Sequence, residues 1–211
     1  MINPVMIFGA GSFGKAVYDV LKSNGIEIYA FLDDDKELHN KTIGEVSILG
    51  NTDDDGFLKY IGKKCDAFVA VDDMRLKKTL VEMLKKKRKV MPVTVVHNAA
   101  QISELASISY GTFVGANTSI GAGSVLSEHC VINTNASIDY DVKIGKFTHI
   151  GTGSNINSEA EIGNNVFIGS GVTIVSGIKV EDNARIGAGS VVVDNVTKGA
   201  TIFGNPAKAI K

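Results

Sequence analysis

A strict six-residue period dominates the second half of the chain. Every sixth residue from Val96 to Val192 is Val, Ile or Leu, without exception. A fixed hexapeptide period predicts a parallel β-helix, in which three hexads complete one triangular coil and each aliphatic side chain points into the core. We therefore expect about five coils, beginning near Ile102, with the hexad aliphatics as core residues.

The residues around each aliphatic position repeat as well. The residue two positions before it is usually small or β-branched, as at Thr112, Ser124 and Cys130, so we expect it to fit a tight corner. Glycine directly follows seven of the aliphatic residues, among them Gly145 and Gly151. We interpret these glycines as residues that adopt the positive φ of sharp corners.

The N-terminal third carries a different pattern. Residues 4–8 form a short apolar run typical of a buried strand, and GAGSFG at 9–14 matches G-x-G-x-x-G. Apolar residues at helical spacing follow, and a second apolar run over 26–32 ends at Asp33. This order of strand, glycine loop, helix, strand and acid is typical of a nucleotide-binding unit, in which the helix N-terminus faces a phosphate. A tight β–α turn without a ligand is the alternative.

The size of this first domain limits its ligand. The pattern predicts one more strand near 67–71 and a helix over 75–87, closed by a basic run at 85–89 that opposes the helix dipole. The domain then ends near residue 96, where the hexads begin. A full dinucleotide domain usually needs more chain, so a single nucleotide is a more natural ligand than NAD.

Composition excludes several classes of protein. The formal net charge is −1, which gives no field for nucleic acid or for an acidic membrane surface. Cys65 and Cys130 are too few for a disulfide framework and lack metal-site spacing, and no histidine has such spacing either, so we expect no metal. Neither a basic leader nor a membrane-length apolar run is present, and we expect a cytoplasmic protein.

Four features together resemble a known family. They are the hexads, the glycine loop, the HNAA segment at 97–100 and the GNPAK segment at 204–208. The chain resembles the hexapeptide-repeat sugar acetyltransferases of the sialic acid O-acetyltransferase type, above all the bacterial N-acetyltransferases that act on UDP-4-amino sugars and perosamine nucleotides. The resemblance implies a small Rossmann-like nucleotide-sugar-binding domain at 1–96 and a left-handed β-helix acyltransferase domain with a C-terminal cap at 97–211.

The resemblance also implies the ligands and the assembly. The protein would use acetyl-CoA as co-substrate and form a homotrimer with three active sites, each between two neighbouring β-helices. The residues implied in nucleotide-sugar binding are Gly9, Gly11, Ser12, Phe13, Asp33 and Asp34. Those implied in acetyl-CoA binding are His149, Ser158, Ser170, Gly204, Asn205 and Pro206. The residues at the catalytic positions are Tyr140, Asp141 and His149.

One catalytic position departs from the family pattern. Relatives carry a His-Glu or His-Asp pair where this chain has Tyr140-Asp141, and the glycine loop has Phe13 where relatives often have histidine. A phenol with an ordinary pKa of about 10 is mostly protonated at neutral pH and is a poor general base. Loss of general-base assistance costs roughly 10²–10⁴ in rate, but an uncharged amine is a better nucleophile than a hydroxyl and needs this assistance less.

Three hypotheses follow from this departure. The chain N-acetylates a nucleotide-linked amino sugar in surface-glycan biosynthesis, it O-acetylates a sugar with His149 or another histidine as base, or it binds a nucleotide sugar without catalysis. Among the other histidines, His39 and His129 are predicted at the surface, and His97 near the domain junction.

Overall fold

The computed structural model of this chain describes residues 3–209. They divide into two compact units, one ending at Val95 and one beginning at Val96. Each unit has its own core.

The N-terminal unit is a five-stranded sheet with helices. Its strands are β1 (Val5–Phe8), β2 (Ile28–Leu32), β3 (Thr42–Ile43), β4 (Val46–Gly50) and β5 (Asp66–Val69). Its helices are α1 (Ser12–Ser23), α2 (Asp55–Leu58) and α3 (Met74–Arg88), with a 3₁₀ turn at Lys36–Leu38. The order in the sheet is β3-β4-β2-β1-β5, and only β3 is antiparallel to its neighbour.

Apolar sequence explains the centre of this sheet. Every residue of β1 is buried, as expected for a strand covered on both faces. Asp73 caps the N-terminus of helix α3, where its carboxylate accepts a hydrogen bond from the Leu76 N–H at 2.7 Å, and Lys89 caps the C-terminus in the left-handed conformation. The basic run therefore closes a helix, as predicted. The hairpin of β3 and β4 and the short helix α2 were not predicted, because their sequences show no clear period.

The second unit is a triangular β-helix. Its hexad strands contain two residues each, and between residues 101 and 192 rungs 18 residues apart pair in parallel, as Ile132 pairs with Ile150. In the last coil the spacing is 16, as Arg185 pairs with Thr201. The strands are β6 (Val95–Val96), β7 (Gln101–Ile102), β8 (Ser107–Ile108), β9 (Phe113–Val114), β10 (Ser119–Ile120), β11 (Val125–Leu126), β12 (Val131–Ile132), β13 (Ser137–Ile138), β14 (Lys143–Ile144), β15 (His149–Ile150), β16 (Asn155–Ile156), β17 (Glu161–Ile162), β18 (Phe167–Ile168), β19 (Thr173–Ile174), β20 (Lys179–Val180), β21 (Arg185–Ile186), β22 (Val191–Val192), β23 (Thr201–Gly204) and β24 (Ala207–Ala209).

These strands form the three sides of the coil. The first side is the six-stranded sheet from β7 to β22, the second is the five-stranded sheet from β8 to β20, and the third is the eight-stranded sheet from β6 to β24. We name each corner after one of its residues. The Tyr140 corner joins the first side to the second, the His129 corner joins the second to the third, and the Asn133 corner joins the third back to the first.

The hexad aliphatics form the core of this unit, as predicted. From Val114 to Val192 they are nearly inaccessible to solvent, and the small residues at the corners are buried beside them. Ile102 in the first coil is an exception at 36% exposure, because no coil lies beneath it on the first side. Burial of one such aliphatic side chain contributes roughly 1.5–3 kcal/mol.

The expected role of the glycines after the aliphatics was wrong. Gly145 and Gly151 do not have positive φ. They are required because the next coil passes so closely: a Cβ at Gly145 would lie 2.6 Å from the carbonyl carbon of Gly163. The left-handed residues lie two positions later in each corner and include Asn135 and Asp141.

Candidate active site

Tyr140 projects from the corner that bears its name. Its side chain is 50% exposed, although its backbone is held on both sides. The Tyr140 N–H donates to the Asp139 carboxylate at 2.9 Å, and the Tyr140 carbonyl accepts from the Glu159 N–H at 3.1 Å. The corner therefore presents an accessible phenol on a fixed backbone.

Asp141 does not form a pair with this phenol. Asp141 has φ 56°, and its carboxylate lies over Gly123 of the preceding coil, so closely that a Cβ on Gly123 would collide with it. The carboxylate is thus directed along the corner, to the previous coil. The two residues predicted as catalytic neighbours share a corner without forming a donor–acceptor pair.

His149 lies on the third side, in β15, and its ring is positioned by two neighbours. The Asn133 side-chain amide nitrogen lies 2.9 Å from His149 Nε2, and the Phe167 ring stacks on the imidazole at a centroid distance of 5.1 Å. An amide nitrogen can only donate, so in this contact Nε2 is the acceptor and the proton of a neutral ring is on Nδ1. Asn133 belongs to the corner between the third and first sides, and it holds the imidazole toward that corner.

Asn133 and Phe167 were not predicted. Phe167 lies 18 residues from His149, one rung above it on the same side, and Arg185 one rung higher lies 4.9 Å from the Phe167 ring centroid. A search at a spacing of 18 would have found this outward ladder of His149, Phe167 and Arg185. Asn133 lies 16 residues from His149, off that spacing, and its contact depends on the shape of the corner.

The structure separates Tyr140 from His149. Tyr140 occupies the corner between the first and second sides, and His149 lies on the third side, which is opposite that corner. The core of the β-helix lies between them. Within one chain the predicted catalytic residues therefore form two separate groups.

The residues predicted to contact the acyl donor are divided in the same way. Ser158 lies 18 residues above Tyr140 in the same corner, is buried, and donates from Oγ to Ser176 Oγ at 3.1 Å. Ser170 is exposed and lies in the Asn133 corner, one coil above Thr152. Gly204, Asn205 and Pro206 form the turn between β23 and β24 at the end of the third side.

The glycine loop lies where the sequence predicted it, between β1 and α1. Gly9 has φ 108°, and a Cβ there would collide with the carbonyl of Ala70. Gly11 precedes the first turn of α1 and no side chain caps that turn, while Gly11 and Ser12 are exposed. Phe13 is directed inward, and its ring packs edge-on against Phe68 at 6.3 Å.

The two acidic residues after β2 have partners within the protein. The Asp33 carboxylate accepts from the Ala10 N–H at 2.7 Å and from the Asp35 N–H at 2.9 Å. The Asp34 carboxylate accepts from the N–H and the hydroxyl of Thr52, at 2.8 and 2.9 Å. Asp33 thus ties the glycine loop to the end of β2, and both carboxylates lie at the edge of the sheet that carries the loop.

The predicted surface position of His129 was wrong. His129 lies in a corner, as expected, but it is only 4% exposed and stacks against Phe147 at 4.7 Å. The chain buries it because each corner is covered by the corner of the next coil. His39 is half-buried, with Nε2 2.7 Å from the Asp33 carbonyl oxygen, and the His97 Nδ1 accepts from the Ala99 N–H.

Two sequence-family comparisons match parts of the chain. Residues 4–84 match the PglD N-terminal domain, and residues 159–194 match the bacterial transferase hexapeptide family, over six repeats. A comparison with curated protein sequences finds no match. The first family therefore matches the N-terminal unit, and the second matches part of the β-helix.

Solved structures extend these matches over the whole chain. The GDP-perosamine N-acetyltransferase of Caulobacter crescentus, as a histidine variant in complex with CoA and GDP-perosamine, is 27% identical with a TM-score of 0.88, over 100% of this chain and 98% of that one. The chain thus combines a PglD-type N-terminal domain with bacterial transferase hexapeptide repeats, and it is an acyltransferase.

Two further structures are similar to this acyltransferase. The acetyltransferase domain of PglB from Neisseria gonorrhoeae, in complex with acetyl coenzyme A, is 27% identical with a TM-score of 0.89, and both chains are covered completely. WeeI from Acinetobacter baumannii is 24% identical with a TM-score of 0.72, over 98% of this chain and 99% of that one, which shows a shared fold.

Two features are absent from residues 3–209 of the acyltransferase. No group of three or more His, Cys, Asp or Glu side chains is arranged to hold a metal ion there. Within the same residues no helix is both long enough and apolar enough to span a membrane.

Proposed function

We propose that this protein transfers the acetyl group of acetyl-CoA to the amino group of a nucleotide-linked sugar. The observation that carries the proposal is the full-length similarity to an N-acetyltransferase structure that contains CoA and GDP-perosamine. The acetyl-CoA complex of a second similar structure supports the same donor. The N-acetylated sugar would then enter bacterial surface-glycan synthesis in the cytoplasm.

In this proposal one unit binds the nucleotide of the sugar substrate and the other binds acetyl-CoA. Residues 1–96 bind the nucleotide, with its phosphates on the loop of Gly9, Gly11, Ser12 and Phe13, where the uncapped N-terminus of α1 favours an anion. The base or ribose lies near Asp33 and Asp34, at the same edge of the sheet. Residues 97–211 bind acetyl-CoA and carry out the transfer.

The acceptor amine suits a site with a phenol in place of an imidazole. A neutral amine attacks the thioester carbonyl and forms the C–N bond. As the carbonyl re-forms, the C–S bond breaks, and the departing thiolate of CoA takes up the proton that the amine loses. Tyr140 orients the amine by a hydrogen bond, since a phenol is a poor general base at neutral pH. A sugar hydroxyl is a poor nucleophile unless a base removes its proton, whereas a neutral amine can attack without one. The phenol at this position therefore favours N-acetylation over O-acetylation.

The acetyl group itself is held by the β-helix. His149 in its Nδ1–H form can donate to a carbonyl oxygen of the donor, and the backbone at Ser158 lies one coil above Tyr140, beside the acceptor. Ser170 and the turn of Gly204, Asn205 and Pro206 contact the rest of CoA. These assignments require His149 to approach Tyr140, which a single chain prevents.

We therefore propose a homotrimer with active sites shared between subunits. Tyr140 and Ser158 come from one subunit, and His149 comes from the next. Their positions on opposite parts of the coil support this arrangement, since neither group can complete a site within its own chain.

A thiol-release assay tests the reaction. We expect CoA release from acetyl-CoA in the presence of a UDP-4-amino sugar or GDP-perosamine, and no release with the corresponding hydroxyl sugars. The product should resist mild alkali, since amides survive conditions that hydrolyse esters. Tight binding of these nucleotide sugars without CoA release would support the non-catalytic hypothesis instead, and an alkali-labile product would support O-acetylation.

A further inference from the structure

Basic residues are concentrated in two short segments of the N-terminal unit. Segment 59–64 contains three lysines, segment 85–89 contains four lysines and an arginine, and neither segment contains an acidic residue. These are eight of the 22 lysines and arginines in a chain whose net charge is −1. All of them except Arg88 are exposed. The near-neutral charge of the whole chain therefore conceals a strongly positive local surface.

The fold brings these two segments together. The Arg88 guanidinium donates to the Ile61 carbonyl at 2.8 Å and to the Lys59 carbonyl at 3.1 Å. The C-terminal end of α3 thus packs against the loop that precedes β5. We call segments 59–64 and 85–89 together the basic patch.

Two tyrosines accompany the cations of the basic patch. The Nζ atoms of Lys59 and Lys64 lie 5.1 and 5.3 Å from the ring centroid of Tyr60. The Tyr29 ring lies 5.8 Å from the Tyr60 ring, and Tyr29 is 37% exposed. Tyrosine is enriched at the headgroup level of membranes, where its ring lies among apolar groups and its hydroxyl reaches water.

Nearby acidic groups offset only part of this charge. The Asp55 carboxylate lies 2.9 Å from Lys87 Nζ. The Glu82 carboxylate lies 3.9 Å from Lys86 Nζ, and Asp66 follows the loop. At physiological ionic strength charges are screened beyond about 8 Å, so an anionic surface that approaches the patch responds to these groups and not to the net charge of the chain.

The basic patch lies at the opposite end of the strands from the glycine loop. The glycine loop follows β1, whereas the patch includes the segment before β5, and β1 and β5 are parallel. Helix α3 carries the chain back from the end of β5 to the end where β5 begins. A partner bound at the patch therefore leaves the glycine loop open to its ligand.

The chemistry of the patch favours a lipid surface over nucleic acid or a single bound phosphate. Seven of its eight cations are lysines, which act as point charges, whereas arginine is suited to bidentate phosphate contacts. Arg88 already donates to two backbone carbonyls. A depression of about 350 Å³ between α2 and α3 is lined by Lys59 and Lys87 but also by Asp55, whose carboxylate repels a phosphate.

We propose that the basic patch binds this protein to an anionic phospholipid surface. The lysine ammonium groups face the headgroup phosphates, and Tyr29 and Tyr60 lie at the level of the headgroups. Each lysine near such a surface raises the affinity about five-fold, and salt weakens this attraction. The inference goes beyond acetyl transfer and does not depend on it.

Vesicle sedimentation of the full-length protein tests the proposal. We expect binding to vesicles of phosphatidylcholine with about a third phosphatidylglycerol, no binding to phosphatidylcholine alone, and release as salt rises to about 0.5 M. The triple variant Lys63→Gln, Lys64→Gln, Lys85→Gln should bind about a hundred-fold more weakly. Failure of the wild-type protein to prefer the anionic vesicles overturns the proposal.

The matched control removes the same charge from another part of the same unit. Lys22, Lys36 and Lys41 are exposed and lie near β3 and β4, on the other side of the sheet from β5. The triple variant Lys22→Gln, Lys36→Gln, Lys41→Gln should bind vesicles as the wild type does. Equal losses in the two triple variants would show that binding follows net charge and would overturn the proposal. Circular dichroism checks that both variants are folded.

A tryptophan reporter tests contact with lipid without removing any charge. The chain contains no tryptophan, so Tyr29→Trp introduces a unique fluorophore beside the patch. Its emission should shift to shorter wavelength with the anionic vesicles. The emission of Leu49→Trp, at a residue of β4 that is 38% exposed, should not shift. An unchanged emission of Tyr29→Trp, or equal shifts in both variants, contradicts the proposal.

Soluble anions distinguish the other partners. Inorganic phosphate and a short RNA duplex are titrated against the wild-type protein and the Lys63, Lys64, Lys85 variant. Binding of either anion that depends on these lysines, without binding to vesicles, would overturn the proposal. If the protein binds the anionic vesicles but transfers no acetyl group, the proposed function fails and the membrane proposal stands.

Discussion

At the scale of single residues, the proposed reaction depends on two side chains that differ in how firmly they are held. His149 has an amide hydrogen bond and a stacked ring, whereas the phenol of Tyr140 is half exposed on a fixed backbone. The imidazole is thus preorganised for the donor, and the phenol is free to meet an acceptor. Substitutions at Tyr140 and at Asn133 test these two roles.

Replacement of Tyr140 by histidine should raise turnover. An imidazole with an ordinary pKa near 6.5 can accept the proton of the attacking amine, and general-base assistance contributes roughly 10²–10⁴ in rate. We expect kcat to rise about ten-fold or more, with a new acidic limb in the pH–rate profile. Tyr140→Phe is the control for the hydroxyl. A Tyr140→His enzyme slower than wild type would mean that the phenol itself has a specific role in the reaction.

Removal of the Asn133 amide should weaken the use of acetyl-CoA. One hydrogen bond is worth about 1 kcal/mol, so Asn133→Ala should lower kcat/KM for acetyl-CoA by about five-fold and leave KM for the sugar unchanged. Thr134→Ala, at the exposed next residue, is the control. An equal loss for both substrates would indicate a general structural effect in place of a positioning role.

At the scale of the elements, the coil spacing determines which residues tolerate change. At the seven glycines that directly follow a hexad aliphatic, the adjacent coil approaches so closely that a methyl group has no room. The left-handed residue two positions later accepts side chains, as Asn135 shows. The two kinds of glycine in a corner should therefore respond differently to substitution.

Gly145→Ala should destabilise the β-helix by about 1–3 kcal/mol, the usual range for overpacking, because its Cβ would meet the backbone of Gly163. Gly153→Asn is the matched control. Gly153 has φ 67° and open space around it, and its position in the coil is that of Asn135. Chemical denaturation measures both variants, and equal losses of stability would contradict this account of the corner.

The two cysteines belong to buried elements and should be unreactive. Burial, with the nearby charge of Asp66, raises the pKa of the Cys65 thiol to about 11, and the Cys130 thiol donates to the Gly145 carbonyl at 3.1 Å. Since the thiolate is the reactive form, neither residue should react with a chromogenic disulfide reagent at pH 8 before unfolding. Rapid labelling of the native protein would show that one of these segments opens readily.

At the scale of the whole molecule, assembly and stability are linked. If three copies assemble as proposed, the folded form gains stability by mass action, and the melting temperature rises with protein concentration. Differential scanning fluorimetry over a hundred-fold range of concentration should detect the rise. A melting temperature that stays constant over that range would contradict the link.

Much of the architecture could be predicted from local sequence. The hexad ladder is a local period repeated many times, and its meaning does not depend on distant contacts, so the β-helix and its core followed directly. The same holds for the glycine loop, since a strand, a turn and a helix adjacent in sequence are adjacent in space. Family resemblance added the acyltransferase chemistry and pointed to Tyr140 as a departure.

The tertiary structure decided what depends on the packing of one coil on another. The glycines after the aliphatics avoid the next coil and do not supply positive φ, His129 is buried beneath Phe147, and Asn133 reaches His149 across a corner. The tertiary structure also decided the separation of Tyr140 from His149, because the nine residues from one to the other span half a coil and place the two side chains on opposite parts of it. The sequence by itself determined the ladder of hexad aliphatics, because that pattern is local and repeats at a fixed period. Which residues face one another was decided only when the chain closed each triangular coil, and this is a property of the folded chain.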